Sequence, residues 1–233
     1  MSISRILSDF INLFYPNICL VCHNALVHGE DVICISCLYK IPRTRYWNET
    51  DNAVAKIFWG RVNIENASSF FYFSKGSKYR KLLHQLKYNG RQDIGIKLGE
   101  EFGRELQKSN IYNNIDAIIP VPLHAKRLKQ RGYNQAEMIA NGMSKGMGKP
   151  VITDVLLRNQ YTQTQTKKNR EERVKNVSEA FTIINPEKIS NLHILLVDDV
   201  VTTGATLEVC ANTILANTSS KVSVATLAYA YNI

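Results

Sequence analysis

Apolar and polar positions alternate along residues 67–233 with two periods, one typical of buried strands and one typical of helices. Short, almost purely apolar runs indicate strands, and they fall at 69–73, 117–122, 151–157, 180–184, 193–197 and 222–229. Between them, apolar residues recur every three to four positions, at 77–87, 93–107, 134–143 and 206–216. This alternation predicts an α/β fold with a mostly parallel sheet that is covered by helices on both faces.

The first third of the chain has a different pattern. Residues 3–14 carry apolar side chains at helical spacing as far as Pro16, which predicts a short amphipathic helix. Residues 42–66 mix proline, arginine, asparagine and aromatic residues without a clear period. We therefore predict three units: an N-terminal module at 1–45, a connector at 46–66 and the α/β domain at 67–233.

Four of the five cysteines form two C-x-x-C pairs: Cys19 with Cys22, and Cys34 with Cys37. Four thiolates at this spacing can close a tetrahedral shell around Zn²⁺, and a shell with no open position predicts a structural zinc site. Two disulfides and a redox-active pair are the alternatives, although nothing in the sequence suggests export. Two histidines lie close enough to act as substitute ligands, His23 and His28.

The compartment follows from two features of the sequence. No apolar run approaches the ~20 residues of a membrane-spanning helix, and the N-terminal segment is amphipathic rather than signal-like. Tight cysteine pairs that suit a metal favour a reducing environment. We expect a cytoplasmic protein without a membrane span, in which the fifth cysteine, Cys210, is a core residue of an apolar helix.

Charge is distributed unevenly in this chain, whose net charge is +9. Residues 75–91 contain six bases and no acid, residues 124–131 contain four bases and no acid, and residues 158–175 contain six bases and two acids. Such clusters favour a partner that carries phosphates, either a polyphosphate ligand or a nucleic acid. A solvated surface is the alternative for each of them taken alone.

The segment 194–206, ILLVDDVVTTGAT, places a buried strand directly before two carboxylates and a loop rich in threonine. Ligands of open α/β sheets bind beyond the carboxyl ends of strands, and the N-terminus of a helix binds anions. Gly204 would let the backbone approach a phosphate closely. Ionised Asp198 and Asp199 accept hydrogen bonds only, so they suit the vicinal hydroxyls of a ribose. Neither G-x-G-x-x-G nor G-x-x-x-x-G-K is present, and an ordinary turn with surface acids is the alternative.

This segment resembles the signature of type I phosphoribosyltransferases, in which four apolar residues, two acids and two variable residues precede Thr-Thr-Gly-x-Thr. The resemblance implies the type I phosphoribosyltransferase fold, with Asp198 and Asp199 holding the ribose hydroxyls of phosphoribosyl diphosphate. It also implies that Mg²⁺ binds mostly to the diphosphate and hydroxyls of this ligand. The implied cradle for the 5-phosphate consists of Val201, Thr202, Thr203, Gly204, Ala205 and Thr206.

Two further runs, VPLHAKRLKQRGYNQAE at 121–137 and RVKNVSEAF at 173–181, look like the ComF/ComFC (competence protein F) family. Together with the cysteine pairs, they extend the similarity over nearly the whole chain, residues 42–66 being the weak stretch. The resemblance implies a cytosolic protein of DNA uptake and natural transformation that contacts single-stranded DNA. The implied protein partners are a competence helicase or recombination proteins.

The basic segments have expected positions in this fold. The resemblance implies that the loop after the strand at 117–122 contacts the diphosphate, so Lys126, Arg127 and Arg131 are the expected contacts. The long polar segment at 158–176 is identified as the flexible loop that closes over the reacting centre, and a disordered loop is the alternative. Four of its residues are expected to face the ligand or a partner: Gln163, Arg170, Arg173 and Asn176.

Two interpretations of the function stay open at this point. In the first, a ComF-like protein binds phosphoribosyl diphosphate and single-stranded DNA, using cations interleaved with aromatic side chains. The expected nucleic-acid contacts are Lys87, Arg91, Arg127, Arg131, Arg170 and Arg173. In the second, a metabolic phosphoribosyltransferase modifies an unidentified base or amine. Catalytic residues are not identified, and glutamine-dependent ammonia transfer is disfavoured because residue 2 is Ser2 and about 70 residues cannot hold a glutaminase domain.

Overall fold

A computed structural model describes residues 16–74, 76–159 and 180–231. The helix predicted at 3–14 lies outside the described residues. So do residues 160–179, which contain most of the predicted flexible loop and four of the expected contacts, Gln163, Arg170, Arg173 and Asn176.

The described residues form six strands, and four of them make one parallel sheet with the order β1-β6-β5-β2. The strands are β1 (Ala67–Phe73), β2 (Ala117–Pro120), β3 (Leu156–Arg158), β4 (Phe181–Ile183), β5 (His193–Val201) and β6 (Lys221–Ala230). The strands β3 and β4 form a separate antiparallel pair. The predicted parallel sheet is therefore confirmed, but the apolar run at 151–157 is not one strand, because Val151 bridges to Ile118 and β3 begins only at Leu156.

Helices cover both faces of the sheet, as the sequence pattern predicts. Seven α-helices lie in the described residues, namely α1 (Ile35–Tyr39), α2 (Ala53–Lys56), α3 (Arg80–Tyr88), α4 (Gln92–Lys108), α5 (Ala125–Arg131), α6 (Gln135–Met147) and α7 (Ala205–Asn217). The helices α3, α4 and α6 bury their apolar residues on one face with Phe70, Phe71 and Leu195, whereas α2 and α7 pack on the other face with Ile194 and Leu196. This is a doubly wound α/β arrangement.

The helix α5 is not predicted by the periodicity, which indicates only a loop between β2 and α6. Its sequence AKRLKQR consists of good helix formers but has a single apolar residue, Leu128, so it carries no amphipathic signal. His124 caps its start by accepting a hydrogen bond from the backbone N–H of Lys126 at 3.1 Å, and Gly132 ends it in the left-handed conformation. None of its residues is buried.

The helices α4 and α6 pack unusually closely because glycines face each other across their interface. A Cβ atom at Gly142 would lie 2.2 Å from the carbonyl oxygen of Ile96, and one at Gly99 would lie 2.3 Å from that of Ile139. Both distances are far below van der Waals contact, so only glycine fits at these positions. Close packing holds α6, and with it the segment that precedes α6, against the sheet.

The segment predicted as a connector at 46–66 is ordered and lies against the strand β1. The side chain of Asn52 caps α2 by accepting from the N–H groups of Val54 and Ala55, and it donates to the carbonyl oxygen of Ala67 at 2.9 Å. The backbone N–H of Glu65 donates to Val222 O at 2.8 Å. Two hydrogen bonds, to Ala67 on β1 and to Val222 on β6, thus hold a segment without sequence periodicity against the sheet. The three-unit division of the chain stays a prediction.

Candidate functional site

The strand β5, the turn after it and the start of α7 enclose a small cavity at the carboxyl edge of the sheet. The cavity measures about 70 Å³ and is lined by Asp198 and residues 200–207. Gly204 has a φ of 73° and forms the N-cap of α7, while Thr202, Thr203 and Thr206 are exposed around it. The backbone N–H groups of the first turn of α7 therefore meet threonine hydroxyls, as in an anion-binding helix terminus. We call residues 201–206 the cradle.

The strand β5 extends through both acids, four residues beyond the predicted end at Val197. Because successive side chains of a strand point to opposite faces, the two acids diverge. Asp198 lines the cavity, whereas the carboxylate of Asp199 lies 3.0 Å from the ammonium group of Lys87 on α3. Asp198 accepts a hydrogen bond from the N–H of Asp199 at 2.8 Å. Of the two predicted ribose contacts, Asp198 is the one that lies beside the cradle in this conformation.

The environment of Asp198 disfavours its charge. Burial and the neighbouring negative charge of Asp199 raise the pKa of Asp198 to about 7, although Lys87 and Arg158 act in the opposite direction. A carboxyl group with this pKa changes protonation near neutral pH, and such groups are concentrated at functional sites. In its protonated form Asp198 could donate a hydrogen bond as well as accept one.

The connector contacts the cradle directly, which the sequence did not predict. The guanidinium group of Arg61 donates to the carbonyl oxygens of Thr203 at 2.8 Å and of Ile57 at 2.9 Å. It also forms an ion pair with Glu208 in the first turn of α7. A Cβ atom at Gly204 would lie 2.7 Å from Ile57 Cγ2. The helix α2 and the residues after it therefore support the cradle from one side, and no period or motif in 42–66 could have indicated this.

The predicted diphosphate contacts lie on α5, which follows the end of β2. Because β2 is the neighbour of β5 in a parallel sheet, α5 begins at the same edge as the cradle. Lys126 and Arg127 are exposed. The guanidinium group of Arg131 lies 5.3 Å from the centre of the Tyr88 ring and donates to Gln135 Oε1 at 2.5 Å. Contacts of these three residues with a ligand stay a prediction.

Two of the predicted nucleic-acid contacts, Lys87 and Arg91, form ion pairs with acidic side chains. Lys87 is paired with Asp199, and Arg91 forms a bidentate ion pair with Asp93 at 2.6 and 2.9 Å. Arg127 and Arg131 lie on α5, whereas Arg170 and Arg173 are outside the described residues. The described residues therefore place Arg127 and Arg131 together at the edge of the sheet, with Lys87 bound to one of the acids.

The four paired cysteines are brought together as the spacing predicts. The sulfur atoms of Cys19, Cys22, Cys34 and Cys37 all lie within 4.8 Å of one another, and those of Cys22 and Cys34 are 3.7 Å apart. A tetrahedral site with Zn–S bonds of ~2.3 Å has sulfur atoms ~3.8 Å apart, so the cluster has the dimensions to hold a metal ion. All five cysteines of the chain are described, and each is a free thiol in this structure.

Backbone N–H groups point at the sulfur atoms of this cluster. Burial opposes ionisation of Cys19, but hydrogen bonds from the backbone of Cys34, Cys22 and Val21 lower the pKa of its thiol to about 7. The thiolate form is the one that ligates metals. His23 Nε2 lies 3.3 Å from the ammonium group of Lys81, a lysine of the α/β domain.

The cysteine module is joined to the α/β domain by a shared core. Tyr79 Oη donates to the carbonyl oxygen of Cys37 at 2.9 Å. Buried residues of the module, including Val21, Ile33 and Ile41, belong to the same apolar cluster as Leu82 of α3. The module therefore packs as part of the same core as α3. A metal ion held by its four cysteines would stabilise a segment that is too short to form a core alone.

A larger cavity of about 600 Å³ lies between the cysteine module and α4, away from the cradle. Its charged lining residues include Arg91, Asp93 and Lys97, and each of these already forms an ion pair on α4 or at its start. Size alone does not make it a better candidate than the cradle, where the N-terminus of α7 and the threonine side chains converge.

Comparison with known proteins agrees with this architecture. The family described as "Phosphoribosyl transferase domain" matches residues 130–231, which include the cradle. A "DNA utilization protein YhgH" from Salmonella typhimurium is 32% identical over 146 residues, and "Competence protein F" from Haemophilus influenzae is 33% identical over 105 residues. The chain is thus similar in sequence to ComF/ComFC proteins, and its C-terminal part matches the phosphoribosyl transferase domain.

The similarity to these ComF-family proteins is partial in length. It covers 61% of this chain and 63% of the YhgH protein, and 45% of this chain and 46% of competence protein F. A solved structure of glutamine phosphoribosylpyrophosphate amidotransferase from B. subtilis gives a TM-score of 0.44 at 17% identity, over 61% of this chain and 30% of that chain. Among the described residues, no helix has the length and apolarity needed to cross a bilayer.

Proposed function

We propose that this ComF-like protein acts in DNA uptake, binds phosphoribosyl diphosphate at the cradle and binds single-stranded DNA at the same edge of the sheet. The observation that supports the proposal most is the cavity between Asp198 and the N-terminus of α7. The names of the relatives, DNA utilization protein and competence protein F, support the role in DNA uptake.

The cradle is suited to a single phosphate group. Its cavity of about 70 Å³ is far smaller than the ~300 Å³ or more of pockets that enclose a whole drug-sized ligand. The α7 dipole and the free N–H groups of its first turn favour an anion, and the hydroxyls of Thr202, Thr203 and Thr206 can donate to phosphate oxygens. A phosphate bound here leaves the rest of the ligand on the open edge of the sheet.

The other parts of phosphoribosyl diphosphate find complementary groups around the cradle. Asp198 can accept hydrogen bonds from the ribose hydroxyls, and Asp199 can do so if the ligand displaces it from Lys87. Lys126, Arg127 and Arg131, which follow β2, would meet the diphosphate. Since carboxylate oxygens are hard donors and Mg²⁺ retains several waters, Mg²⁺ would bind mainly to the diphosphate, with Asp198 or Asp199 contacting its water shell. In that position it would neutralise diphosphate charge.

The cysteine cluster is proposed to hold a structural Zn²⁺. Four sulfur donors leave no coordination position for a substrate, and the site lies in the module rather than at the cradle. Its contribution to the function is therefore to stabilise the fold.

Single-stranded DNA offers the same chemistry as the proposed small ligand, because it presents phosphates and deoxyribose in a repeat. The exposed cations of α5 can track a phosphate backbone, and the Arg131 guanidinium is held next to the aromatic ring of Tyr88. Tyr88 as a whole residue is 62% exposed, so part of its side chain is accessible to a base.

Calorimetric titration with phosphoribosyl diphosphate, with and without Mg²⁺, tests the first part of the proposal. Three proteins would be compared: the unmodified protein, the double variant Asp198→Asn/Asp199→Asn and the single variant Asp116→Asn. Asp116 accepts a hydrogen bond from the backbone N–H of His193, five strand residues or ~16 Å from Asp198, and is the matched control. The double variant should lose at least tenfold in affinity while the control binds normally. Equal affinity in all three proteins would refute the ribose contacts.

Fluorescence anisotropy with a labelled single-stranded oligonucleotide tests the second part. Replacing Lys126 and Arg127 by alanine should weaken binding. The slope of log K against the logarithm of the salt concentration should become less steep by about one to two, about one for each lost phosphate contact. Lys108 and Lys145, which lie at the C-terminal ends of α4 and α6, give a double control with the same change in charge. Identical curves for both double variants would exclude α5 as the DNA contact.

Transfer of phosphoribose to a small base or amine is the second candidate function. It is favoured by the phosphoribosyl transferase match over residues 130–231. It predicts Mg²⁺-dependent release of diphosphate when an acceptor is added. Binding of phosphoribosyl diphosphate without such release, together with salt-dependent DNA binding, would leave the first proposal as the better account.

A further inference from the structure

Four tyrosine side chains form one connected cluster at the carboxyl edge of the sheet. The ring centres of Tyr46 and Tyr72 are 5.8 Å apart, those of Tyr72 and Tyr229 are 6.3 Å apart, and those of Tyr229 and Tyr231 are 6.4 Å apart. Tyr72 and Tyr231 are also in contact, at 6.2 Å. Tyr231 is 54% exposed, and the other three are only partly buried. The cluster is thus an aromatic surface rather than part of the core.

The strand register places this cluster next to the cradle. Tyr229 on β6 is paired with Val201, the last residue of β5, and Tyr72 on β1 is paired with Tyr229 from the other side. Adjacent strands are ~4.8 Å apart, so the two tyrosines lie one and two strand spacings from the residue that precedes Thr202. A ligand whose phosphate is bound in the cradle can reach the tyrosine rings with the group attached to its sugar.

Charged and uncharged groups lie on opposite sides of β5 along this edge, which suits the phosphate and the base of a nucleotide. Exposed cations of α5 follow β2 on one side of β5, and the tyrosines lie on β6 and β1 on the other side. The hydroxyl of Tyr72 donates to that of Tyr46 at 2.8 Å, so these two phenols are satisfied by each other. Burial raises the pKa of Tyr46, which keeps its phenol neutral. An uncharged aromatic surface attracts a planar ring rather than a second phosphate.

We propose that Tyr72, Tyr229 and Tyr231 form a stacking surface for the nucleobase of a nucleotide whose 5′-phosphate occupies the cradle. This inference rests on the proposed function, because it assumes a phosphate in the cradle. It adds the recognition of the base, which the cradle cannot provide. Since every base has a π face, the surface accepts different bases with little sequence preference.

Two ligands that differ only in the base test the inference. Affinities for ribose 5-phosphate and for adenosine 5′-monophosphate would be measured by calorimetry. The unmodified protein should bind the nucleotide roughly tenfold more tightly, as expected for one stacked base. Tyr231→Ala should abolish most of this preference and leave the affinity for ribose 5-phosphate unchanged, whereas Tyr231→Phe should retain it. Tyr39→Ala, which removes an 85% exposed tyrosine of the cysteine module, is the matched control.

The possible failures are distinguishable. If ribose 5-phosphate does not bind the unmodified protein, the cradle and the stacking surface are both refuted. If it binds but the base adds no affinity, or if Tyr231→Ala weakens both ligands equally, the stacking surface alone is wrong. Repeating the comparison with an oligothymidylate and an abasic oligonucleotide of equal length determines the source of the base. A preference that depends on Tyr231 in the oligonucleotide pair assigns the surface to single-stranded DNA, and one confined to the monophosphate assigns it to a free nucleotide.

Discussion

The ammonium group of Lys87 lies 3.0 Å from the carboxylate of Asp199, although 112 positions of sequence separate the two residues. Both side chains are mostly buried, with 26% and 14% of their surfaces exposed. The pair joins α3 to the end of β5 and reduces the negative charge next to the cradle. Lys87, a predicted nucleic-acid contact, therefore forms an ion pair with Asp199, a predicted ribose contact.

Replacing Lys87 should weaken anion binding at the cradle. Lys87→Met leaves Asp199 without its cation, so phosphoribosyl diphosphate should bind about fivefold to tenfold more weakly, while Lys87→Arg should bind nearly normally. Calorimetry at two salt concentrations measures the loss, which should shrink as salt is added. A lower melting temperature with unchanged affinity would mean that the pair has a structural role only.

The pKa of Asp198 predicts how stability depends on pH. Because the pKa is raised from 3.8 to about 7 in the folded state, the folded protein binds more protons than the unfolded chain between these values, and its stability falls as pH rises through this window. Asp198→Asn cannot become charged. The unmodified protein should therefore lose stability between pH 5 and pH 8, whereas the variant should not. The difference in the free energy of unfolding, variant minus unmodified protein, should rise by about 2 kcal/mol over this range. Urea unfolding at both pH values provides the comparison, and an equal difference at both would contradict the raised pKa.

Arg61 should affect phosphate binding although it lies outside the cradle. In a trans peptide the carbonyl oxygen and the following N–H point in opposite directions, so holding the Thr203 carbonyl directs the N–H of Gly204 away from Arg61. Arg61→Gln should weaken binding of inorganic phosphate by roughly tenfold, because one oriented donor is lost. Arg104→Gln, which removes an arginine that pairs with Glu100 and Glu101 on α4, is the control. Equal losses in both variants would point to a general effect of charge.

Two glycines with similar backbone angles separate steric contact from backbone strain. Gly204 and Gly132 have φ values of 73° and 78°, but a Cβ atom would contact Ile57 and Phe58 only at Gly204, and at Gly132 it would meet nothing within 4 Å. Gly132→Ala should cost about 1 kcal/mol from strain alone. Gly204→Ala should cost about 1–3 kcal/mol more and also weaken phosphate binding. Denaturant unfolding of both variants gives the difference, and equal costs would show that the connector does not press on the cradle.

Removal of the proposed zinc ion should destabilise the cysteine module and the core that it shares with α3. Elemental analysis should find one zinc per chain, and a strong chelator should lower the melting temperature. Cys37→Ser should reduce the zinc content, whereas Cys210→Ser changes a buried thiol of α7 far from the cluster and should leave it unchanged. A full complement of zinc in Cys37→Ser would show that the four sulfur atoms are not the ligands.

The sequence by itself determined the features that depend on neighbours along the chain. Apolar runs such as 193–197 specify strands because a buried strand needs no polar partner on either face. The spacing of Cys19, Cys22, Cys34 and Cys37 indicates a candidate metal site because each pair is a local turn. The acids followed by Thr-Thr-Gly-x-Thr likewise indicate a phosphate site, because the strand, the turn and the helix start are consecutive.

The tertiary structure decided which groups meet across long separations. The extension of β5 through Asp198 and Asp199 separates these acids onto two faces of the sheet, and only the packing of α3 brings Lys87 to one of them. Arg61 reaches Thr203, and Tyr72, Tyr229 and Val201 stand side by side, because the sheet order is β1-β6-β5-β2. Sequence periodicity reports the burial of single segments, whereas such contacts depend on the register between strands and on the closeness of helix packing.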